Sequence, residues 1–295
     1  MRRRIIGMAA IFLVAALSAA LAFGYKMTRP HPSYVEPARP PAQDLTLTSP
    51  DGLRLTATYW PGSAKAAPGV LILHGVGSSR GKFRGNAEWL AGQGYGVLTL
   101  DFRGHGQSDI AIASFGLFEA RDARAGYDWL KQKQENAPVA VIGVSLGGAA
   151  ALLGPDGPLP AQAMILHAVY PDIRRAIRNR LTAMLSETVA WVGEPLLSLQ
   201  SFLWYGTGPG ALAPVEAMKQ FAGPAMIVAS SDDRLTTLAD TQALYASIPG
   251  PKRIWLAKGY SHGDIADIDT PEYRARLGDF LAAAIGAPPK NPPSR

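Results

Sequence analysis

The feature that most constrains the fold is a series of short, uninterrupted apolar runs that recur along the chain. Such runs are typical of strands buried on both faces, as in parallel sheets. Stretches with helical periodicity separate them, at about residues 86–93, 117–133, 145–153, 238–247 and 271–284. The runs themselves occupy residues 69–74, 96–101, 139–144, 163–168 and 225–230. Apolar strands alternating with helices predict an α/β fold, with a mostly parallel sheet and helices on both faces.

Two segments depart from this alternation. Residues 45–48 and 53–60 alternate apolar and polar side chains around a turn at 49–52, which predicts an antiparallel hairpin at an edge of the sheet. Residues from about 170 to 222 contain amphipathic helical pieces and no strand pattern. An insertion of this length predicts a helical cap insertion over the carboxyl edge of the sheet, where open α/β sheets bind ligands.

The N-terminal segment carries arginines at positions 2–4 and then no charge from Ile5 to Tyr25. Arginines before an apolar run orient it with the N-terminus in the cytoplasm. Because about 20 apolar residues span a bilayer, residues 1–27 are interpreted as an uncleaved membrane anchor. The small residues at 20–22 favour an alternative, a signal peptide removed on export. We therefore expect the domain that follows to lie outside the cytoplasm, either membrane-anchored or secreted or periplasmic.

Composition indicates where the linker, the main domain and the C-terminal tail begin and end. Five prolines between positions 30 and 41 predict a semi-extended linker over residues 28–44. The α/β domain is expected at 45–288 and a disordered tail at 289–295. The first 44 residues hold six Lys or Arg against two acidic residues, so most of the net charge of +6 is N-terminal. Since no basic stripe is interleaved with aromatic residues, no nucleic-acid partner is expected.

Residues 141–148 read V-I-G-V-S-L-G-G and place Ser145 between glycines at the end of an apolar run. A G-x-S-x-G sequence between a buried strand and a helix is typical of a nucleophile elbow. The turn there is so sharp that the serine adopts a strained backbone conformation. Side chains at Gly143 and Gly147 would collide with the neighbouring strand and helix. The pattern predicts a catalytic serine whose hydroxyl stands above the edge of the sheet.

A serine nucleophile of this kind needs a base and an acid, in the chain order Ser, then Asp or Glu, then His. S-D-D-R-L-T follows the apolar run at 225–230 and contains Asp232 and Asp233. K-G-Y-S-H-G-D follows the strand-like R-I-W-L-A and contains His262. Both loops return to the same edge of the sheet. The pattern predicts His262 as the base and leaves either aspartate as the acid.

Together these motifs resemble a serine hydrolase of the α/β-hydrolase superfamily, and most of all the bacterial esterase, lysophospholipase and prolyl-aminopeptidase-like group. The resemblance implies an α/β-hydrolase fold over nearly all of residues 45–285. It favours Asp233 as the acid, because the family's acid precedes a sequence of the R-L-T kind. The oxyanion hole is expected from the backbone N–H groups of Val76 and Leu146. The matching motifs are H-G-V-G-S-S-R (74–80), D-F-R-G-H-G-Q-S-D (101–109), F-G-L-F-E-A-R-D (115–122), G-V-S-L-G-G (143–148), S-D-D-R-L-T (231–236) and G-Y-S-H-G-D (259–264).

The predicted activity is cleavage of carboxylic esters or thioesters (class EC 3.1.1, carboxylesterase or lipase-like) through an acyl-enzyme. The expected substrate is a small ester with an apolar acyl group. The alternatives are a serine peptidase of the aminopeptidase-like branch and a non-catalytic, membrane-tethered binding module. With no cysteine and with scattered histidines, neither a metal site nor a cofactor is expected.

Overall fold

The computed structural model describes the backbone of residues 2–289, and in its first helix it describes side chains only at positions 7, 8, 11 and from 14 onwards. Of the tail predicted at 289–295, all but Pro289 therefore lies outside the described residues. The strands are β1 (His31–Pro32), β2 (Gln43–Thr48), β3 (Arg54–Trp60), β4 (Gly69–Leu73), β5 (Gly96–Leu100), β6 (His105–Gly106), β7 (Val139–Val144), β8 (Ala163–His167), β9 (Ala225–Ser230) and β10 (Lys252–Ala257). The helices are α1 (Arg2–Met27), α2 (Arg84–Gly92), α3 (Glu119–Lys133), α4 (Leu146–Leu152), α5 (Ile173–Met184), α6 (Glu187–Ser198), α7 (Ser201–Tyr205), α8 (Pro214–Met218), α9 (Leu238–Ser247), α10 (His262–Ala266) and α11 (Pro271–Ile285).

A sheet with the strand order β10-β9-β8-β7-β4-β5-β3-β2 forms the centre of the fold. The six strands from β10 to β5 are parallel, whereas β3 pairs antiparallel with both β5 and β2. The mostly parallel sheet predicted from the apolar runs is therefore confirmed. The parallel arrangement brings the carboxyl ends of β4, β7, β9 and β10 to one edge, where the loops carrying the predicted site residues begin.

Two apolar cores lie on opposite faces of the sheet. Within β4, Leu71 and Leu73 belong to one core, and Val70 and Ile72 belong to the other. Helices α3 and α4 cover the first face, while α2 and α11 cover the second. Because successive side chains of a strand point to opposite faces, a strand covered on both sides must be apolar throughout.

Helices α5 to α8 form the connection between β8 and β9 and lie over the carboxyl edge of the sheet. Both longer helices of this connection have side-chain N-caps: Asp172 accepts from the Arg175 N–H group and Ser186 accepts from the Val189 N–H group. N-capping satisfies one of the backbone donors that a helix leaves free at its start.

The prediction of an N-terminal membrane anchor is wrong. Among the described residues, none of the helices combines the length and the apolar character that crossing a membrane requires. The physical reason lies in the packing of α1, whose last turns contact the cap. The Gln200 side chain donates a hydrogen bond to the Ala20 carbonyl oxygen (3.0 Å), and the ring of Tyr25 lies 6.1 Å from that of Trp204.

The expectation of a catalytic domain outside the cytoplasm depended on that interpretation of residues 1–27 and falls with it. The described residues likewise give no support to the alternative of a cleaved signal peptide. The following segment, residues 28–44, runs along the domain: β1 pairs with β6, and the Ser33 N–H group donates to the Gly106 carbonyl (2.9 Å).

Candidate active site

Ser145 lies at the sharp turn between β7 and α4. Its backbone has φ 48° and ψ −109°, a region that residues with a side chain rarely occupy. Its N–H group donates to the His167 carbonyl (2.8 Å), and its own carbonyl accepts from the Ala149 N–H group (3.1 Å). Strain of this kind persists only where the surrounding structure enforces it.

The glycines beside Ser145 are required by close contacts. A Cβ atom on Gly143 would lie 2.5 Å from the Gly148 Cα atom, and one on Gly147 would lie 2.2 Å from the Leu73 carbonyl oxygen. These distances are far shorter than any van der Waals contact, and the obstructing atoms are backbone atoms that cannot rotate away. The sequence G-x-S-x-G is thus imposed locally by the approach of α4 to β4.

His262 and Asp233 are joined by a hydrogen bond. The His262 Nδ1 atom lies 2.7 Å from the Asp233 Oδ2 atom. The other carboxylate oxygen of Asp233 accepts from the backbone N–H groups of Leu235 and Thr236, both at 2.8 Å. The Asp233 side chain is almost fully buried, at 1% exposure, whereas that of His262 is 21% exposed. The acid is thereby held in one orientation, and the imidazole remains accessible from the pocket.

The neighbouring Asp232 faces the other way. Its exposed carboxylate accepts from the Gly259 N–H group (2.7 Å) and from the Ser231 hydroxyl (3.0 Å). These two hydrogen bonds hold the pKa of Asp232 below its ordinary value. Asp232 thus ties the acid loop to the start of the histidine loop without contacting the imidazole.

The histidine loop is ordered by its own helix start. Ser261 caps α10 through a capping box: its hydroxyl accepts from the Asp264 N–H group, and the Asp264 carboxylate accepts from the Ser261 N–H group. This reciprocal pair satisfies donors that would otherwise be free. It places His262 at the first position of the helix.

Ser145 and His262 line the same two cavities. The hydrogen bonds of the described residues do not include one between the Ser145 hydroxyl and the imidazole. Catalytic hydrogen bonds are often long in an unliganded enzyme and shorten when substrate binds. The structure therefore places Ser145 and His262 at the same cavities, and Asp233 contacts His262 without lining either cavity.

Val76 and Leu146, predicted to form the oxyanion hole, border the apolar cavity beside Ser145. Leu146 is the first residue of α4, and Val76 lies in the loop after β4; both line a cavity with Ser145. Within the described part of the chain, neither N–H group donates a backbone hydrogen bond. Free donors at a helix start favour a negative charge nearby.

Buried polar groups stabilise the loop of residues 74–80, which contains Val76. The Arg80 side chain is 2% exposed and forms an ion pair with Asp101, which also accepts from the Arg80 and Gln107 N–H groups. His74 bonds the Gly75 carbonyl through Nδ1 (2.7 Å) and accepts from the Phe102 N–H group through Nε2 (3.1 Å). Burial lowers the pKa of His74 to about 3, so the ring is neutral.

Other titratable groups near the site have structural partners. His105 is buried and bonds the Arg103 carbonyl (3.0 Å). Glu119 accepts from the N–H groups of Ser114 and Gly116 and from the Ser114 hydroxyl. His167 contacts the Tyr273 hydroxyl (3.1 Å), and burial lowers its pKa to about 4. Within the described residues, no cluster of potential ligands is arranged to hold a metal ion.

Two cavities meet at Ser145 and differ in character. One lies beneath the cap, is mainly apolar and is lined by side chains from α1 and the cap. The other, called the polar cavity below, is more open and more polar than the first and is lined by residues 75–79, Lys82 and Gly263. Ser145, Val76, His262 and Arg180 border both. The apolar lining includes Phe23, Met27, Phe115, Tyr170, Ile173, Ile177, Leu181, Leu197, Trp204, Tyr205, Leu212 and Leu235.

Sequence reasoning misses three side chains of this site. Phe23 and Met27 belong to the helix predicted as a membrane anchor, and Arg180 is one of four arginines in α5. No local pattern could have identified them, because their roles depend on how the cap and α1 meet the sheet.

Comparison with known proteins agrees with this architecture. The family model described as serine aminopeptidase, S33, matches residues 64–201. An esterase of Pyrococcus furiosus superposes with a TM-score of 0.69 at 21% identity, covering 88% of this chain and 100% of the esterase. The chain has the α/β-hydrolase fold. The resemblance inferred from the motifs is thereby confirmed.

Two sequence relatives extend the comparison. An uncharacterized protein of Mycobacterium tuberculosis is 28% identical to this hydrolase over 228 residues, which cover 76% of this chain and 74% of the relative. Human monoglyceride lipase is 32% identical over 117 residues, or 38% of each chain. The match to the family model includes Ser145 and ends before Asp233 and His262.

Proposed function

We propose that this hydrolase cleaves carboxylic esters, with Ser145 as the nucleophile, His262 as the general base and acid, and Asp233 as the residue that orients the imidazole. The observation that supports this most directly is the 2.7 Å hydrogen bond between Asp233 and the His262 Nδ1 atom, with Ser145 bordering the same cavities. We further propose that residues 45–288 form the catalytic domain, with residues 170–222 as its cap.

In the acylation step, the Ser145 Oγ atom attacks the ester carbonyl carbon while its proton passes to the His262 Nε2 atom. The carbonyl π-electron pair moves to the oxygen, and the N–H groups of Val76 and Leu146 stabilise the resulting oxyanion. When the intermediate collapses, the bond to the alcohol oxygen breaks and His262 donates its proton to that oxygen. Each oxyanion donor is typically worth about 3 kcal/mol in the transition state.

In the deacylation step, water attacks the acyl-serine carbonyl and gives its proton to His262. Collapse of the second intermediate releases the carboxylic acid and returns the proton to the Ser145 oxygen. Asp233 keeps the ring proton on Nδ1, so that Nε2 remains free to accept, and its negative charge stabilises the imidazolium.

The apolar cavity supports an apolar acyl group as the part of the substrate beneath the cap. A peptidase of the aminopeptidase type must hold a substrate's α-amino group, for which a carboxylate is suited. In the described residues, the charged side chain that lines the apolar cavity is Arg180, and no acidic side chain lines it. Because the family model is described as an aminopeptidase, a peptidase is the second candidate. The positive charge and the lack of a carboxylate among the described residues of this cavity favour ester hydrolysis.

Labelling with a fluorophosphonate probe tests the serine. We expect the wild-type protein and a Ser247→Ala control, at the end of α9, to be labelled, and Ser145→Ala to remain unlabelled. Unlabelled wild type would point to the non-catalytic alternative, and labelled Ser145→Ala would assign the reactivity to another residue. Losing Ser145 or His262 should lower turnover by about a millionfold.

A substrate panel tests the bond that is cleaved. p-Nitrophenyl esters of increasing acyl length should be hydrolysed, and aminoacyl anilides should not. Faster cleavage of an aminoacyl anilide than of every ester would replace the esterase proposal by the peptidase.

A further inference from the structure

Arg180 is the arginine of α5 that lacks a partner within the described residues. Arg174 and Arg178 both pair with Glu194, at 2.8 and 3.3 Å, and Arg175 pairs with Asp240 at 2.8 Å. Arg180 forms neither an ion pair nor a hydrogen bond in that part of the chain, and it borders both cavities beside Ser145 and His262. The helix thus satisfies three guanidinium groups and leaves the fourth at the site.

An unpaired cation in this position is costly to the free protein. The Arg180 side chain is partly buried under the cap, and burial lowers the pKa of its guanidinium. Taking a charge out of water without a counterion is unfavourable. A charged group that is partly buried in a cleft and lacks a counterion is a candidate for a functional position.

The two cavities indicate which part of a substrate would meet Arg180. Under the proposed function, the apolar cavity holds the acyl chain, so the alcohol portion extends into the open polar cavity. His262 also lines that cavity and must give its proton to the alcohol oxygen. Arg180 borders this cavity as well as the apolar one, and so lies beside an alcohol portion placed there.

Other charged groups of the polar cavity are already engaged or stand apart. Lys82 pairs with Asp267 (2.9 Å). Arg84 donates to the carbonyl oxygens of Glu36 and Pro37, and the acidic residues that line this cavity are Glu36 and Asp267. Arg180 is therefore the cation at Ser145 that is available to an incoming ligand.

We propose that Arg180 binds an anionic group, a phosphate or a carboxylate, on the alcohol portion of the ester, which makes acidic esters the preferred substrate class. This inference rests on the proposed ester hydrolysis and adds the chemistry of the leaving alcohol. The planar guanidinium presents paired N–H donors that match both kinds of oxyanion. Arg180 acts here as a specificity residue that touches substrate.

Three esters with one acyl chain test the proposal by steady-state kinetics: decanoyl glycerol, decanoyl glycerol phosphate and decanoyl glycerate. In Arg180→Met, we expect kcat/KM for the two anionic esters to fall by about 10- to 100-fold, as loss of a charge-assisted hydrogen bond predicts. The value for the neutral ester should change by less than about threefold. Arg180→Lys should fall between wild type and Arg180→Met, because it keeps the charge without the paired donors.

Arg174→Met is the matched control, since it removes an arginine of the same helix that does not line the cavities. All three of its rates should stay close to wild type. A preference for the phosphate or for the carboxylate would identify the anion, and either supports the proposal. An equal loss for all three esters in Arg180→Met, or no loss for any, would overturn it.

Calorimetric binding to Ser145→Ala separates this inference from the proposed function. If wild type hydrolyses none of the esters, the esterase proposal fails, and binding alone decides the role of Arg180. We expect Ser145→Ala to bind decanoyl glycerol phosphate more tightly than decanoyl glycerol, and the added Arg180→Met substitution to remove the difference. Equal affinities in Ser145→Ala would reject the anion site whether or not turnover is seen.

Discussion

Replacing Asp233 by asparagine changes one proton position in the site. The Oδ1 atom of Asp233 accepts from the N–H groups of Leu235 and Thr236, and Oδ2 faces the His262 Nδ1 atom. In Asp233→Asn, the amide oxygen keeps the two backbone donors, so the amide NH₂ group must face Nδ1. Since that group donates, Nδ1 becomes an acceptor and the ring proton moves to Nε2.

A protonated Nε2 atom cannot take the proton of Ser145. We expect kcat to fall by about 10⁴-fold, or about 5 kcal/mol of transition-state stabilisation, because imidazole is held in the wrong tautomer and its charged form loses its counterion. KM should change little, since Asp233 does not border either cavity. The unfolding free energy should change by less than about 2 kcal/mol, because the hydrogen bonds to the backbone remain.

Asp232→Asn is the matched control one residue away. Its amide oxygen can still accept from the Gly259 N–H group, and the residue is exposed, so we expect kcat within about threefold of wild type. Steady-state hydrolysis of a p-nitrophenyl ester measures both variants, with urea unfolding to check their stability. If Asp233→Asn kept more than a tenth of wild-type kcat, or if Asp232→Asn were the more damaging change, the assignment of the acid would be refuted.

Three further outcomes follow from the packing. Gly147→Ala should destabilise the fold by at least about 3 kcal/mol, because its Cβ would overlap backbone, whereas Gly278→Ala within α11 has room and should stabilise by about 0.5–1 kcal/mol in the same urea titration. Burial lowers the pKa of His167 to about 4, whereas its value in the unfolded chain is about 6.5. Between these pH values the unfolded chain binds a proton that the folded protein does not, so the free energy of unfolding falls by about 3 kcal/mol as the pH decreases from 6.5 to 4. His167→Gln should therefore flatten the pH dependence of unfolding by about 1.4 kcal/mol per pH unit in that window, and an unchanged slope would contradict it. Met27→Trp should narrow the apolar cavity and shift the preferred p-nitrophenyl ester to shorter acyl chains, whereas an unchanged preference would show that α1 does not limit the chain.

The central strands could be predicted because burial on both faces requires an uninterrupted run of apolar residues. β4, β5, β7, β8 and β9 are buried at every position, and each coincides with an apolar run. The short pairing of β1 with β6 left no such trace. It joins His31–Pro32 to His105–Gly106 through backbone groups, and backbone pairing of two residues imposes no side-chain pattern.

The N-terminal helix was misassigned because an apolar surface suits lipid and protein equally well. Hydropathy measures only the cost of leaving water. What decides the environment of α1 is a partner about 180 residues away: Gln200 donates to the Ala20 carbonyl, and Trp204 packs beside Tyr25. The role of Arg180 could not be predicted for a related reason. Only the folded cap shows which arginine of α5 has no carboxylate partner among the described residues.

The three loops of the candidate site are held mainly by backbone constraints, and each uses a different one. Steric contact around Gly143 and Gly147 holds the serine turn, two backbone N–H groups hold Asp233, and a capping box orders the start of α10 at His262. None of these constraints involves the Ser145 hydroxyl or the imidazole. Substituting those two side chains should therefore leave the loops in place, so that lost turnover in Ser145→Ala reports chemistry and not misfolding. Gly147→Ala is the opposite case. It keeps the side chains of Ser145, Asp233 and His262 but distorts the turn that aligns the serine with the other two.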